Sequence, residues 1–496
     1  MSSALIRRLE EHACSRPDDL AVREIGDSGE ERCVTWRELR ASAGALASRL
    51  RGCGRRAEVV LVVSPNRIEL LVAMLGGLWA DASVLPVSPE LPKLELAATA
   101  RRSRASIAIG EYEVLEALAD AVPERIPNDT LVARGPGDAE GPGASGGGSL
   151  LLTTSGTTGL PRLVRRDSAA LDAVGASCMR AIGIDATDVM LVTVPLYHSY
   201  GIDQAVLTAV MAGCAIELHR RFDPARARSA LLERGISVLP AVPVMFDALA
   251  RQAKAPCRAP RLRRAYSAGS PLPRRIFDQF ARGWGVGLGQ IYGATEFGPV
   301  TFNDPNAADF DPEAAGRPMQ GVELRILDAR DPDPERPLPP EAEGQVAVAA
   351  PSMMRAYVGA ARPPLARGFL LTGDLGRLDG SGRLRLTGRL RLLVDVGGIK
   401  VNPAEVESVL TRHPGVREAV VLAFPFSDTT TRLKAIVVPE PGCEVRPQEL
   451  RRFAREHLIH YKVPRVFEIR TTMPRSATGK ILREQLEREC GLGAPS

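Results

Sequence analysis

A run of three leucines that leads into a glycine- and hydroxyl-rich segment most constrains what this chain can fold into. Residues 150–164 read LLLTTSGTTGLPRLV. Such a composition suits a core poorly, whereas glycine lets a backbone turn its N–H groups inward and hydroxyls can donate to phosphate oxygens. The candidate phosphate-binding residues are Thr154, Ser155, Gly156, Thr157, Thr158, Gly159 and Arg162. The segment lacks the GK[ST] ending of a Walker A loop, so it predicts a polyphosphate loop of another kind, with a plain polar turn as the alternative.

Helix-like and strand-like segments alternate around this loop. Residues 34–54 have apolar positions at helical spacing, the strand-like AEVVLVVS follows, and similar stretches recur as far as residue 297. This order predicts α/β layers with parallel strands. Short strands on either side of the proline-rich residues 328–344 predict a small β subdomain. The chain is too long for one compact core, so we predict a large N-terminal domain (residues 1–388) hinged to a small α+β C-terminal domain (residues 389–496).

Composition excludes several classes of protein. The net charge is only +5 and no dense basic block is present, which gives no case for a nucleic-acid-binding protein. The eight cysteines include no CxxC pair and no cluster with metal-ligand spacing, which indicates free thiols in a reducing compartment. The N-terminus lacks the apolar core of a signal peptide, and no run approaches the ~20 apolar residues of a membrane span. We therefore expect a cytoplasmic protein.

Two further segments place a carboxylate in a polar turn. QIYGATEFGPVT, residues 290–301, holds Glu296 directly after Thr295. A carboxylate next to a phosphate loop would be a natural Mg²⁺ ligand. GFLLTGDLGRLD, residues 368–379, holds Asp374, which could accept hydrogen bonds from both hydroxyls of a ribose. The alternatives are a solvated charge at Glu296 and an ordinary β-turn aspartate at Asp374.

A fourth segment, MPRSATGKILREQL at residues 473–486, places Lys480 after a glycine in a polar turn at a predicted helix start. Only six of the 64 basic residues are lysines, so a lysine here is less often a casual surface choice. The segment fails the Walker A pattern because Pro474 stands where the first glycine should be. The functional interpretation is a mobile cation delivered to an oxygen that gains charge in the transition state, and the alternative is an exposed lysine at a helix start.

In order and spacing, these four segments resemble the adenylate-forming superfamily of acyl-CoA synthetases, nonribosomal-peptide adenylation domains and firefly-type luciferases. Three more stretches resemble its gate motif (PLYHSYG, residues 195–201), its adenine-side strand and turn (SAGSPLP, residues 267–273) and its hinge motif (GRLRLLVDVGGIKVNPAEVE, residues 388–407). The resemblance covers essentially the whole chain. It implies an enzyme that uses ATP and Mg²⁺ to convert a carboxylic acid to an acyl-adenylate with release of pyrophosphate, and then passes the acyl group to the thiol of coenzyme A.

The resemblance also implies a role for each matching residue. The implied nucleotide contacts are Thr154, Ser155, Gly156, Thr157, Thr158, Gly159 and Arg162 for the phosphates, Thr295 for the α-phosphate, Ser267, Ala268, Gly269, Tyr292 and Gly293 for the adenine, and Asp374 and Arg389 for the ribose. Lys480 would bridge the acid and the α-phosphate, Glu296 would hold Mg²⁺, and His198 would be a gate near the acyl carboxyl. A packed or solvated histidine is the alternative for His198.

Enzymes of this superfamily work in two half-reactions, between which the C-terminal domain rotates about a hinge. The hinge position corresponds to Arg391, and Gly397 and Gly398 would let the pantetheine arm of the thiol lie close to the backbone. Two positions depart from the family pattern. Arg162 replaces the usual lysine with a bulkier, planar cation, and Arg391 replaces the usual Asp or Lys. We expect rotation to survive, because a hinge needs backbone freedom more than a given side chain.

The acid and its acceptor are left open. The acyl-pocket candidates Tyr200, Val242 and Tyr266 suit an apolar or aryl acid. Amino acids are disfavoured, because Tyr200 stands where amino-acid-activating relatives have an aspartate, and Asp203 comes three residues later. The alternative acceptor is a carrier protein loaded in trans. A nucleotide-binding sensor is a further alternative, against which the retained lysine and carboxylate argue, and a Ser/His hydrolase is disfavoured by the lack of GxSxG.

Overall fold

The computed structural model of the protein describes residues 3–52, 59–132, 147–154, 162–252, 257–359, 363–396, 399–427, 430–476 and 479–492. The chain forms two compact units. The first comprises Met1–Glu323 and Ala349–Pro363, and the second comprises Leu324–Val348 and Pro364–Ser496. This division follows packing within the chain. The domain boundary predicted between residues 388 and 389 is a different division of the chain, and it stays a prediction.

Strands occur along the whole length of the described chain. In chain order they are β1 (Leu20–Ile25), β2 (Glu31–Thr35), β3 (Val59–Val63), β4 (Ser83–Val87), β5 (Ala105–Gly110), β6 (Glu124–Pro127), β7 (Ser149–Thr153), β8 (Leu163–Asp167), β9 (Val189–Val192), β10 (Ala215–His219), β11 (Val238–Ala241), β12 (Arg264–Ser267), β13 (Leu288–Ala294), β14 (Gly298–Asn303), β15 (Arg317–Pro318), β16 (Glu323–Leu327), β17 (Gly344–Ala349), β18 (Ala356–Tyr357), β19 (Leu365–Ala366), β20 (Phe369–Leu378), β21 (Leu384–Arg389), β22 (Val394–Val396), β23 (Ile399–Val401), β24 (Val416–Ser427), β25 (Thr430–Pro439) and β26 (Val466–Ile469).

The helices lie between these strands, mostly before β13 and after β23. In chain order they are α1 (Ala4–Ser15), α2 (Trp36–Gly52), α3 (Ile68–Trp79), α4 (Lys93–Ser103), α5 (Tyr112–Ala117), α6 (Ser168–Ile182), α7 (Ser199–Gly201), α8 (Ala209–Ala212), α9 (Pro224–Glu233), α10 (Pro243–Gln252), α11 (Arg274–Trp284), α12 (Pro403–Leu410), α13 (Pro447–His457) and α14 (Arg483–Glu489). A π-helical segment, Ile202–Thr208, joins α7 to α8.

In the first unit, the described strands form two sheets. One has the order β15-β14-β13-β12-β11-β9-β10-β1-β2, in which the strands from β13 to β1 run parallel. The other has the order β18-β8-β7-β4-β3-β5-β6, in which the strands from β7 to β6 run parallel. Strand β3 reads VVLVV, a continuous apolar run that is typical of parallel strands covered on both faces. Helix α3 is apolar except for Glu69, and every one of its residues is buried.

In the second unit, β20 pairs with β17, β19 and β21, and β16 continues this sheet next to β17. Strands β24, β25 and β26 form another sheet, with helices on both faces. Successive side chains of a strand point to opposite faces, so β24 contributes to two cores. Val421 belongs to a core with Leu450 of α13, and Val420 belongs to a core with Leu486 of α14.

The predicted α/β fold with a smaller α+β C-terminal region is confirmed. The alternation of short apolar strands with helices corresponds to the parallel sheets of the first unit. Among the described helices, none is both long and apolar enough to cross a membrane.

Candidate active site

Apart from the phosphate loop, the predicted segments of the first unit follow parallel strands of the nine-stranded sheet. The gate segment (residues 195–201) follows β9, Val242 follows β11, and Ser267 ends β12. Thr295 and Glu296 come directly after β13. Since β9, β11, β12 and β13 are parallel neighbours, their carboxyl ends meet at the same edge, where ligands bind in open α/β sheets.

The phosphate-loop hairpin consists of β7, β8 and the residues between them. The N–H of Thr154 donates to the carbonyl of Arg162 at 2.9 Å, which closes the hairpin around the predicted loop. Ser155, Gly156, Thr157, Thr158 and Gly159 lie outside the described residues, so their phosphate-binding role stays a prediction. Arg162 lies at the exit of the loop, and its guanidinium carbon lies 5.3 Å from the ring centroid of Tyr357.

Tyr357 connects Arg162 to the predicted magnesium ligand. Strand β18 pairs with β8, which places Tyr357 opposite Val164. The Tyr357 hydroxyl donates to Glu296 Oε1 at 3.3 Å. Burial and the nearby Glu296 charge raise the pKa of Tyr357 above its usual value. A cation, a phenol and a carboxylate thus stand in a row beside the hairpin. Tyr357 lies in none of the motifs, so its place in the site could not be predicted from the sequence.

The gate segment packs against the turn at Thr295 and Glu296. Ser199 Oγ lies 3.3 Å from Thr295 Oγ1, within hydrogen-bond distance. His198 directly precedes Ser199, and its ring centroid lies 4.9 Å from that of Tyr197. The segment turns tightly at Gly201, where a Cβ would lie 2.2 Å from the carbonyl oxygen of Pro195. His198 is therefore brought close to this turn, and its gating role stays a prediction.

Asn66 is a second residue that sequence analysis missed. It is buried, and its Nδ2 donates to the carbonyls of Val194 at 2.9 Å and His219 at 3.1 Å. Its Oδ1 accepts from the N–H of Leu196 at 2.8 Å. One amide side chain thus holds the start of the gate segment. A single asparagine between a strand and a helix gives no signal of this role in the sequence.

The adenine-side residues offer a test of whether a nucleotide base fits. The Ser267 hydroxyl is buried, and among the described residues no hydrogen-bond partner is found for it. The next turn uses a positive φ of 89° at Gly269, which glycine adopts without strain. A Cβ at Gly293 would lie 2.5 Å from the carbonyl oxygen of Gly298, so only glycine fits there. A buried hydroxyl beside two glycine positions suits a flat, polar base. Tyr292, the other residue expected to contact the adenine, is itself mostly buried.

The three acyl-pocket candidates lie close together. The Tyr200 hydroxyl lies 3.3 Å from the carbonyl oxygens of Ala241 and Tyr266, at the ends of β11 and β12. Val242 directly follows Ala241 and is buried. The Tyr266 hydroxyl donates to Gln204 Oε1 at 2.8 Å. Burial raises the pKa of Tyr200 well above its usual value, so the phenol stays protonated.

In the second unit, the predicted ribose residues form an ion pair. Arg389 Nε lies 2.7 Å from Asp374 Oδ1, and the two residues are opposite each other in the pairing of β20 and β21. Asp374 is buried, and its N–H donates to Thr372 Oγ1 at 3.0 Å. Thr372 Oγ1 in turn donates to the carbonyl of Val346 at 2.8 Å. The carboxylate is thus held in a defined position next to a cation.

Lys480 is exposed on a small loop of the second unit. The Ser476 N–H donates to the carbonyl of Lys480 at 2.8 Å, and the Lys480 N–H donates to Ser476 Oγ at 3.2 Å. Two arginines hold the loop at its ends. Arg475 donates to the carbonyl of Gly479 at 2.7 Å and pairs with Glu418 of β24. Arg483 donates to the carbonyl of Val421 at 3.0 Å.

The hinge candidate Arg391 is exposed in a single 3₁₀ turn at residues 390–392. Gly397 and Gly398, predicted to line the thiol tunnel, lie outside the described residues. Both roles stay predictions.

Comparison with known proteins places these features in a family. The family model of the AMP-binding enzyme matches residues 9–358, and that of the AMP-binding enzyme C-terminal domain matches residues 405–480. The chain is 29% identical over 484 residues to a feruloyl-CoA synthase of Amycolatopsis sp., which covers 96% of each protein. It is 32% identical over 347 residues to the fatty acid–[acyl-carrier-protein] ligase ScoC of Streptomyces coeruleorubidus, 68% of this chain and 66% of that one. The solved structure of O-succinylbenzoate coenzyme A synthetase (MenE) from Bacillus subtilis, in complex with ATP and magnesium ion, is similar with a TM-score of 0.84 and 26% identity, covering 98% of this chain and 99% of that one.

The chain belongs to the AMP-binding enzyme family. It is an adenylate-forming ligase of the AMP-forming acid–thiol class. The resemblance expected from the sequence motifs is confirmed.

Proposed function

We propose that the enzyme uses ATP and Mg²⁺ to activate an apolar or aryl carboxylic acid, and that it transfers the acyl group to coenzyme A. The observation that carries this proposal is the row of Arg162, Tyr357 and Glu296 beside the phosphate-loop hairpin, with Thr295 and the gate segment next to it. These groups supply a cation, a carboxylate ligand and hydroxyl donors at the strand edge where ligands bind.

The chain's own residues supply what the first half-reaction needs. Attack of a carboxylate on the α-phosphate brings anions together, so cations must be in place and the reactants must be aligned. Arg162 would stay at the phosphate loop, and Lys480 would reach the carboxylate and the α-phosphate. Glu296 would hold Mg²⁺, which neutralises phosphate charge when bound. The Asp374 and Arg389 pair would bind the ribose.

The acid is proposed to be apolar or aryl. Tyr200, Val242 and Tyr266 are aromatic and aliphatic side chains that lie together near the ends of β11 and β12. Asp203 would be needed to bind the ammonium group of an amino acid, but it is buried and bonded to Arg166 at 2.8 Å. The named activity of the feruloyl-CoA synthase relative, an aryl-acid ligase, supports the same class.

Coenzyme A is the proposed acceptor, because the relative that covers 96% of both chains is named a CoA synthase. A carrier protein is the second candidate. A relative with 32% identity is named a fatty acid–[acyl-carrier-protein] ligase, which supports this candidate.

Acid-dependent ATP–pyrophosphate exchange tests the first half-reaction. The panel contains short, medium and long aliphatic acids, aryl acids and amino acids. We expect exchange with the apolar or aryl class, and Lys480→Ala should slow it by about 10²–10³-fold because one cation at the reacting oxygens is lost. Lys93→Ala, at an exposed lysine that begins α4, is the matched control and should behave as wild type.

Coenzyme A and a purified acyl-carrier protein are then offered separately to enzyme with the accepted acid. Thioester formation with coenzyme A supports the first acceptor, and acylation of the carrier alone supports the second. A wild-type protein that binds ATP but exchanges pyrophosphate with no acid of the panel would contradict the proposed function.

A further inference from the structure

We propose that Arg166 is a positioning residue for adenylation, which holds the turn at Thr295 and Glu296 in place through a buried pair with Asp203. This role rests on the proposed function, because the turn is the predicted site of the α-phosphate and Mg²⁺. Neither Arg166 nor Asp203 matches a residue to which the family resemblance gives a role.

The guanidinium of Arg166 joins three segments of the site. Arg166 lies on β8, the strand that leaves the phosphate loop. Its Nε donates to the carbonyl of Thr295 at 2.9 Å. Its Nη1 donates to Asp203 Oδ1 at 2.8 Å, and Nη2 lies 3.5 Å from Oδ2. Asp203 lies in the π-helical segment that continues from the gate segment. One side chain of the hairpin therefore contacts both the turn at Thr295 and the π-helical segment.

Both members of the pair are out of contact with water. Arg166 is 0% exposed and Asp203 is 3% exposed. A buried ion pair is a poor device for stability, because apolar residues of similar volume often replace such a pair with no loss. A stability role therefore does not account for the pair, whereas a fixed geometry at the turn does.

The segment that carries Asp203 is itself specialised. Ile202–Thr208 is π-helical, a form that is rare and occurs frequently at functional sites. Thr208 Oγ1 donates to the carbonyl of Asp203 at 2.6 Å inside this segment. The backbone at Asp203 is thus tied to Thr208, and the Asp203 side chain accepts from the guanidinium that holds Thr295.

The turn needs this support because its groups act by position. Thr295 Oγ1 lies 3.3 Å from Ser199 Oγ, and Glu296 is the next residue. A displacement of about 1 Å from a distant change can cost about 10²-fold in rate. Loss of the donor to the Thr295 carbonyl should therefore act on the rate of adenylation.

The test uses the full chain and removes both charges at once, so that no buried charge is left alone. In the double variant Arg166→Met with Asp203→Leu, we expect the wild-type melting temperature and a fall in the kcat of pyrophosphate exchange of about 10–10²-fold, with the KM for ATP little changed. Arg166→Lys keeps a positive charge opposite Asp203 but has a poorer donor. Its kcat should therefore lie between those of the wild type and the double variant. Arg180→Met is the matched control, because Arg180 is exposed in the last turn of α6, outside the hairpin, and should leave exchange unchanged.

Each outcome supports or overturns the role. A folded double variant with wild-type kcat overturns it, while the proposed function stands. If the double variant fails to fold, Arg166→Lys decides: a wild-type melting temperature with reduced kcat supports the positioning role, and wild-type kcat overturns it. A wild-type enzyme without exchange for any acid contradicts the proposed function instead, whatever the variants show.

Discussion

Among single residues, loss of the Tyr357 hydroxyl is expected to weaken the binding of MgATP. Its hydroxyl donates to Glu296 at 3.3 Å, while its ring lies under Arg162. Tyr357→Phe removes the hydroxyl and keeps the ring. One hydrogen bond contributes about 0.5–1.5 kcal/mol, so the KM for MgATP should rise roughly 2–10-fold in pyrophosphate exchange, with a smaller change in kcat.

Tyr112→Phe is the matched control for this change, because Tyr112 is 61% exposed on α5 and should leave both constants unaltered. Equal KM values for Tyr357→Phe and wild type would show that the Tyr357 hydroxyl does not orient Glu296 for Mg²⁺.

The residues that sequence analysis missed share a physical reason. Tyr357 contacts Glu296 across 61 positions of the chain, Arg166 contacts Thr295 across 129, and Asn66 contacts Leu196 across 130. Such contacts arise only when the sheets have formed. Thr295 and Glu296 could be predicted, because both belong to one continuous motif, residues 290–301. Their supporting residues stand alone in the sequence.

At the scale of elements, the gate segment depends on one glycine. A Cβ at Gly201 would lie 2.2 Å from the Pro195 carbonyl oxygen, so the turn must open to accept it. Gly201→Ala should lower stability by about 1–3 kcal/mol, seen as a lower melting temperature, and should slow exchange because Ser199 moves away from Thr295. Gly52→Ala, at a position where a Cβ meets nothing within 4 Å, should change neither quantity.

A Gly201→Ala protein with wild-type melting temperature and exchange rate would show that the gate segment has a second conformation without this contact.

Helix α1 carries a histidine, His12, whose pKa is lower in the folded than in the unfolded chain. His12 Nε2 lies 3.0 Å from the Val210 carbonyl oxygen, and Nδ1 lies 3.2 Å from the Arg16 guanidinium, an arrangement that needs the neutral ring. Burial lowers the pKa of His12 from 6.5 to about 4. Between these pH values the unfolded chain binds a proton that the folded chain does not. Stability therefore falls as the pH drops from 6.5, and the loss levels off below 4 at about 3 kcal/mol at most.

Melting temperatures of wild type and His12→Gln between pH 4 and 7 measure the contribution of His12 to this loss of stability. Glutamine keeps a donor for the Val210 carbonyl and cannot titrate. We expect a shallower decline with acid in His12→Gln than in wild type. His457→Gln, at an exposed histidine near the end of α13, should decline as wild type does. Parallel curves for wild type and His12→Gln would contradict the role of His12.

For the whole molecule, the sequence pattern predicts the sheet architecture better than it predicts the position of a hinge. Continuous apolar strands such as Val59–Val63 identify parallel sheets, since both faces of such strands are covered. The motifs after β9, β11, β12 and β13 then had to meet at one edge. In contrast, the pattern of residues does not state where a chain pivots, because a hinge is a property of two conformations.

The hinge prediction can be tested on the two half-reactions separately. Arg391 lies in a single 3₁₀ turn and its side chain is exposed, so the position has room for change. Proline fixes φ near −65° and restricts the preceding residue, and it should therefore slow any rotation about this turn. In Arg391→Pro, we expect pyrophosphate exchange and thioester formation to be affected unequally, with thioester formation falling by at least about 10-fold more. Arg391→Ala keeps backbone freedom and should retain both steps. Thioester formation at the wild-type rate in Arg391→Pro would place the pivot elsewhere in the chain.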